Sequence, residues 1–193
     1  MSEWTHRRIR LVDAQAFTEQ YHRHSPPLQR HAWTTAAYWN GEIQGIVTVD
    51  RPSSAYTKYD FIAEIRRLVT KPDAMPNTAS FLMGKAKQAC FAIGYDLLVS
   101  YTKGYENGAS LKAAGFMVDK WWGEKLADGS CNAQVRWYVN KHEPVGPEER
   151  RQTEEMLLDC HFWLNATESR DDFADCAEAS VPKRCTLEEA IKC

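Results

Sequence analysis

Apolar and polar positions change period several times along the chain, and the changes mark out its elements. A first strand is predicted over Arg8–Val12. Asp13 then stands where a helix N-cap belongs, and a helix is predicted over Ala14–Arg23, stopped by Pro26-Pro27. Ala32–Trp39 and Ile43–Val49 are rich in β-branched and aromatic residues, and Asn40-Gly41 between them is a strong hairpin signal. Pro52-Ser53-Ser54 makes a polar break before a strand over Asp60–Val69, whose apolar positions are Ile62, Ile65, Leu68 and Val69.

The loop Lys71–Asn77 leads into a predicted helix over Thr78–Ala92, with Phe81, Leu82, Ala86, Ala89 and Cys90 at helical spacing and Gly94 as its stop. The following strand, Tyr95–Tyr101, contains the apolar run Leu97-Leu98-Val99, as suits a strand covered on both faces. Strand, helix and strand form a crossover, which implies parallel pairing. A short helix over Asn107–Ala114 closes at Gly115, and strands over Phe116–Trp122 and Ala133–Val139 flank a turn at Asp128-Gly129. The order is β–α–β–β–β–α–β–α–β–β. It predicts an α/β domain over residues 1–143, with a mixed sheet of roughly six or seven strands and flanking helices. Residues 144–193 read as a linker and an acidic helical tail, with helices over Glu148–Leu164 and Leu187–Lys192.

Of 193 residues, 44% are hydrophobic and 26% charged, the balance of a globular chain rather than a disordered one. No apolar run approaches the ~18 residues of a membrane span, and Met1–Arg8 lacks the apolar stretch of a secretion signal. The expected location is the cytoplasm, with no membrane partner. The six cysteines include no CxxC pair and are expected as thiols; the four between 160 and 193 fit either buried small residues or a metal site. Residues 147–193 carry 12 acidic and 6 basic side chains, leaving 14 and 18 on the rest. A mildly basic body suits an anionic ligand, either a nucleotide cofactor or nucleic acid.

The element order resembles the GNAT (Gcn5-related N-acyltransferase) fold. Glu64–Tyr101 is similar to its strand–loop–helix–strand block, and Glu106–Phe116 to its "N…A…Y…GF" segment. Tyr21–Pro26, His31, Glu64–Leu68, Asn77–Leu82, Gly94-Tyr95, Ser100–Thr102 and Gly108–Gly115 together resemble a GNAT-like family of small bacteriophage and prophage proteins. More distantly, Asp73–Ser80 is similar to a loop of the Mom DNA-modification proteins, which alter the exocyclic amine of adenine. The resemblance covers roughly residues 10–125 and leaves the tail unmatched.

This likeness implies roles for particular residues. GNAT enzymes hold the pyrophosphate of CoA at the helix start that here carries Asn77, Thr78 and Ser80, where orphan amides and the helix dipole favour anions. Their loop reads Q/R-x-x-G-x-G/A; this one has no glycine, so the fit of acetyl-CoA or another acyl donor turns on the backbone there. Glu64 matches a carboxylate that takes the proton of an attacking amine, or else pairs with Arg66 or Arg67. Tyr101 stands where a phenol protonates a leaving thiolate, or packs in the core; Ser110 stands on the helix that commonly bears a tyrosine, or is a small packing residue.

His22, His24 and His31 fall within ten residues and either converge on iron or another divalent metal, as Mom-type chemistry implies, or contact phosphate singly. Tyr56, Tyr59, Trp121 and Trp122 with Arg23, Arg30, Arg51, Lys58 and Lys71 are candidates for a base-stacking surface on DNA. Three functions follow: a transferase acting on an amine of a nucleic-acid base, an acyl-CoA N-acyltransferase acting on a small-molecule or protein amine, and a non-catalytic GNAT-like binding protein. Met156, Leu157, Phe162, Trp163 and Leu164 give the tail helix an apolar stripe that either packs on its own domain or forms a homodimer.

Overall fold

A computed structural model describes residues 3–22, 26, 28–53, 60–126, 130–142 and 145–168. Its elements are β1 (Trp4–Ile9), α1 (Leu11–Tyr21), β2 (Trp33–Trp39), β3 (Glu42–Asp50), β4 (Ile62–Thr70), α2 (Thr78–Ala92), β5 (Leu97–Lys103), α3 (Ala109–Ala113), β6 (Met117–Lys125), β7 (Cys131–Asn140) and α4 (Pro147–Glu168). The strands form one sheet in the order β1-β2-β3-β4-β5-β7-β6. β4 and β5 pair in parallel, whereas β1–β2, β2–β3, β3–β4 and β6–β7 are antiparallel. This is the mixed α/β sheet that the hydrophobic pattern predicts.

Two compact units divide the chain. The first comprises Met1–Ser100, Ala109–Gly115 and Val139–Glu143. In it β2 and β3 turn at Asn40 and Gly41, both at positive φ, as the Asn-Gly signal requires. Ala14 and Phe17 of α1 pack on Ala36, Ile46 and Val69, and Leu82, Met83, Ala86 and Cys90 are the buried apolar side chains of α2. Gly45 leaves room for this packing, since a Cβ there would lie 2.7 Å from the Val69 carbonyl oxygen and 3.1 Å from Leu82.

The β4–β5 ladder covers only Ile62–Ile65 against Leu97–Ser100, while β3 stays paired with β4 through Thr70. The β3 register also jumps: Val49 faces Ile65 but Thr48 faces Arg67, so Arg66 is an extra residue in β4. This is a β-bulge.

In the second unit, Tyr101–Gly108, Phe116–Tyr138 and Pro144–Cys193, α4 packs on β6. The Val118 N–H donates to Thr153 Oγ1 at 3.1 Å, and Trp163 lies on Trp121. Leu157 and Cys160 are buried there. The stripe predicted for the tail helix thus lands in part on its own unit, although Phe162 is exposed. Arg136 and Asp119 form a buried ion pair across β6 and β7.

Three boundaries differ from expectation. β1 spans Trp4–Ile9, not Arg8–Val12, and Leu11-Val12 open α1. Asp13 is no N-cap: Arg10 holds that position and Asp13 lies in the first turn, paired to Arg10 at 3.1 Å. The expected helix over Leu187–Lys192 and the turn at Asp128-Gly129 lie outside the described residues.

Candidate functional site

The first unit contains an open pocket of about 330 Å³ at the start of α2. Thr70, Lys71, Pro72, Ala74 and Met75 form one side, Asn77, Thr78, Ala79 and Ser80 the helix end, and Ala109, Ser110 and Ala113 of α3 the other wall. The fold therefore brings Asn77, Thr78, Ser80 and Ser110 to one place from distant points of the sequence.

Gln44 of β3 shapes the loop. This buried side chain accepts the Met75 N–H at 3.0 Å, and its backbone carbonyl accepts the Lys71 N–H at 3.0 Å. Sequence reading missed Gln44; a polar residue amid the apolar run of β3 was the available signal. Lys71 Nζ is 2.7 Å from Glu42, which raises its pKa through that hydrogen bond.

Asn77 sits at the N-cap with φ +68°, and its side chain makes no capping hydrogen bond. It contributes as a residue that tolerates left-handed backbone. The loop thereby makes a turn that glycine usually supplies. The hydroxyls of Thr78 and Ser80 donate to the carbonyls of Met75 and Asn77. The Thr78 N–H reaches Met75 O and the Phe81 N–H reaches Asn77 O. Among the described residues no backbone acceptor takes the N–H groups of Ala79 and Ser80. Orphan amides at a helix N-terminus attract anions.

Glu64 occupies the other end of β4. It is 5% exposed, with Oε2 accepting the Ser53 N–H at 2.8 Å and the Ser53 hydroxyl at 3.3 Å, and Oε1 lying 3.5 Å from Arg66 Nε. Burial raises its pKa above the usual carboxylate range, against the opposing pull of Ser53 and Arg66. The expected pairing with Arg66 is present, and Ser53 is a partner that the sequence reading passed over.

Tyr101 belongs to the second unit, where its half-buried ring meets Trp122 edge-on at 6.1 Å. His24 lies outside the described residues. His31 Nδ1 is 2.6 Å from Thr34 Oγ1, and burial and the Arg8 charge lower its pKa, which favours neutral imidazole. The His22 N–H closes α1 on Thr18 O. Among the described residues no three histidine, cysteine, aspartate or glutamate side chains gather as a metal site, and the expected cluster includes His24, which lies outside them. Nor does Trp121 serve a base-stacking surface, being buried beside Trp163; Arg23, Tyr56, Lys58 and Tyr59 lie outside the described residues.

No family model and no curated protein matches the sequence. Solved structures do match its fold. An IAA acetyltransferase from Bacillus cereus superposes with a TM-score of 0.56 at 12% identity, covering 72% of this chain and 99% of that one. YncA of Salmonella typhimurium, solved with its cofactor acetyl-CoA, gives 0.56 at 15% identity over 75% and 97% of the two chains. A GNAT-family acetyltransferase from Streptococcus pneumoniae gives 0.52 at 15% identity over 72% and 99%. The chain has the fold of the GNAT acetyltransferases.

Proposed function

We propose that this chain is an N-acyltransferase using acyl-CoA as donor. The observation that carries the reading is the pocket at the start of α2, where the orphan amides of Ala79 and Ser80 face a space walled by Ser110. A phosphate fits those amides because a helix N-terminus concentrates partial positive charge. The left-handed Asn77 answers the absence of glycine, since the backbone still turns where a close approach needs it. Thr78 and Ser80 act through the backbone they hold, because their hydroxyl protons already point at loop carbonyls. Acyl-CoA when bound supplies an activated acyl group as a thioester.

β4 connects this pocket to Glu64. Leu68–Thr70 lie beyond the last β5 partner in the ladder, and their backbone is the proposed track for an extended arm along that edge. Glu64 and Thr70 are six residues apart, roughly 20 Å along an extended strand. The phosphate site and the base thus stand at opposite ends of one edge. Glu64 takes the proton of the amine acceptor, and the raised pKa brings it nearer to the working pH that general-base catalysis favours. Ser110 is the proposed positioning hydroxyl.

A second proposed acceptor is the amine of a nucleic-acid base. The likeness of Asp73–Ser80 to a Mom loop and the basic balance of residues 1–146 favour it. Calorimetry with acetyl-CoA tests the donor: binding is expected, and weakening by a bulky residue at Ser110. No binding would leave a non-catalytic GNAT-like protein. Nucleosides digested from DNA of expressing cells test the acceptor by mass spectrometry. An adduct absent with Glu64→Gln establishes base modification; an unchanged profile with acetyl-CoA bound assigns the acceptor to small molecules or proteins.

A further inference from the structure

Among the described residues, the polar face of the sheet around β4 holds a cation that no carboxylate pairs within salt-bridge distance. Thr48 and Asp50 are two apart on β3 and so project to the same side. Their cross-strand partners are Arg67 and Glu64, and the bulge at Arg66 puts these two on that side together. Asp50 pairs with Arg30 at 3.4 Å, and Glu64 with Arg66 at 3.5 Å. Arg67 makes no ion pair among the described residues. Its Nη1 donates to the Arg66 carbonyl at 2.7 Å and its Nη2 reaches the Pro26 carbonyl at 3.5 Å, while Nε is enclosed with no partner at all.

Thr48, the cross-strand partner of Arg67, makes no bond to it. Thr48 Oγ1 is engaged with Thr34 Oγ1 at 3.0 Å, which in turn meets His31 Nδ1. Burial and then the Arg66 charge lower the pKa of Arg67, while Glu64 acts the other way. A half-buried guanidinium with an unmet donor is costly to keep. Arginine is also the side chain best shaped to grip a carboxylate or phosphate.

We infer that Arg67 anchors an oxyanion on the acceptor substrate, so that the acceptor is a small amine carrying a carboxylate or phosphate group. This rests on the acyltransferase reading. The Arg67 and Glu64 positions are offset by two residues of β3, roughly 7 Å. A compact acidic amine spans that distance, with its oxyanion on Arg67 and its nitrogen at Glu64. The length between the two groups, roughly two residues of strand, suits a small ligand rather than a duplex.

Thermal unfolding of the full chain with paired amines tests the inference without turnover. The probes are amino acids against their carboxamides, and phosphoethanolamine against ethanolamine. The acids are expected to raise Tm, their neutral counterparts not, and the more effective pair names the oxyanion. Arg67→Met is expected to unfold no earlier than wild type without ligand, because it removes a half-buried cation that no carboxylate pairs, and to lose the acid-dependent shift. Arg67→Lys keeps charge without the fork and is expected to weaken the shift.

Equal shifts from acids and neutral amines, an acid shift surviving in Arg67→Met, or marked destabilisation of both variants would overturn the proposal. A shift produced by duplex DNA alone and lost in Arg67→Met would also overturn it and assign the cation to nucleic acid. Acetyl-CoA titration of the same proteins reads the donor site separately. Arg67 does not line that pocket, so binding there is expected to be unchanged in both variants. Loss of CoA binding in wild type would sink the acyltransferase reading while leaving the acid-dependent shift to be judged by itself.

Discussion

The Ser53 N–H donates to Oε2 of Glu64 at 2.8 Å, so the residue three places after β3 holds a carboxylate that is 5% exposed. The bond fixes the carboxylate and leaves Oε1, which faces Arg66 at 3.5 Å, as the oxygen with capacity to accept a proton. Ser53 thus positions the proposed base.

Glu64→Gln preserves shape and can still accept the Ser53 N–H, but it cannot take a proton. A fall in kcat/KM of about 10²–10⁴-fold is expected, the usual share of general-base catalysis. Stability at neutral pH is expected to hold or rise, because the fold disfavours the charged form of Glu64 and the amide removes that charge. Activity and thermal unfolding measured on one preparation check both. Full activity would remove Glu64 from the mechanism, and a large loss of Tm would make its role structural.

The pH profile follows from the same shift. Activity needs ionised Glu64, so the acid limb of kcat/KM is expected above the ordinary carboxylate range, with rate falling as pH drops through the raised folded pKa. Stability runs the other way. A raised folded pKa contributes stability that is full below the unfolded pKa and is lost as pH rises through the folded one. The Tm of wild type relative to Glu64→Gln is therefore expected to decline as pH rises across that window. Asp50 reinforces the shift, and Arg66 and Ser53 oppose it. A flat Tm difference would contradict it.

What could be read locally from the sequence was read well. α2 spans Thr78–Ala92 as its apolar spacing and Gly94 indicate, and the Asn40-Gly41 hairpin stands where its φ preferences put it. β1 was misplaced because its interior positions, Thr5–Arg8, are all exposed on an edge strand and so give no alternation. Leu11-Val12 then looked like strand although they begin a helix. The pocket residues Asn77, Thr78, Ser80 and Ser110 came from family likeness, and their convergence needed the crossover to be correct. Ser53 and Gln44 leave no local signal, because the Ser53 bond to Glu64 and the Gln44 reach to Met75 are both non-local. Nor does the bulge at Arg66 leave a mark in the residue pattern, although it sets which side Arg67 faces. Of the three clustered histidines, His31 meets Thr34 through its side chain, His22 closes α1, and His24 lies outside the described residues.

Asn77 offers a test of the glycine-free loop. Its φ of +68° and its idle side chain indicate that backbone conformation, not capping, is its contribution. Asn77→Gly is expected to be near neutral. Asn77→Val forces a β-branched residue into the left-handed region, at a cost of about 1–2 kcal/mol or more. Acetyl-CoA affinity is expected to follow, retained in the first variant and weakened in the second. Ser110→Phe, which fills the pocket from α3, is expected to raise the KM for acetyl-CoA at least about tenfold without loss of Tm. Ser110→Ala separates the roles: retained activity would leave Ser110 as wall alone.

The tail helix supplies the last prediction. Val118, the second residue of β6, directs its N–H to Thr153 Oγ1, and Thr153 is 3% exposed. Thr153→Val keeps the volume but removes the acceptor, leaving a buried N–H unmet. Such a loss costs about 1–3 kcal/mol, whereas a polar contact at the surface costs far less. A drop in denaturant midpoint with unchanged m is expected. Thr153→Ser, which restores the oxygen at the expense of one methyl, is expected to recover much of the difference. If Thr153→Val is neutral while Thr153→Ser is destabilising, α4 is held on β6 by apolar packing at Leu157, Cys160 and Trp163, and the hydrogen bond is incidental.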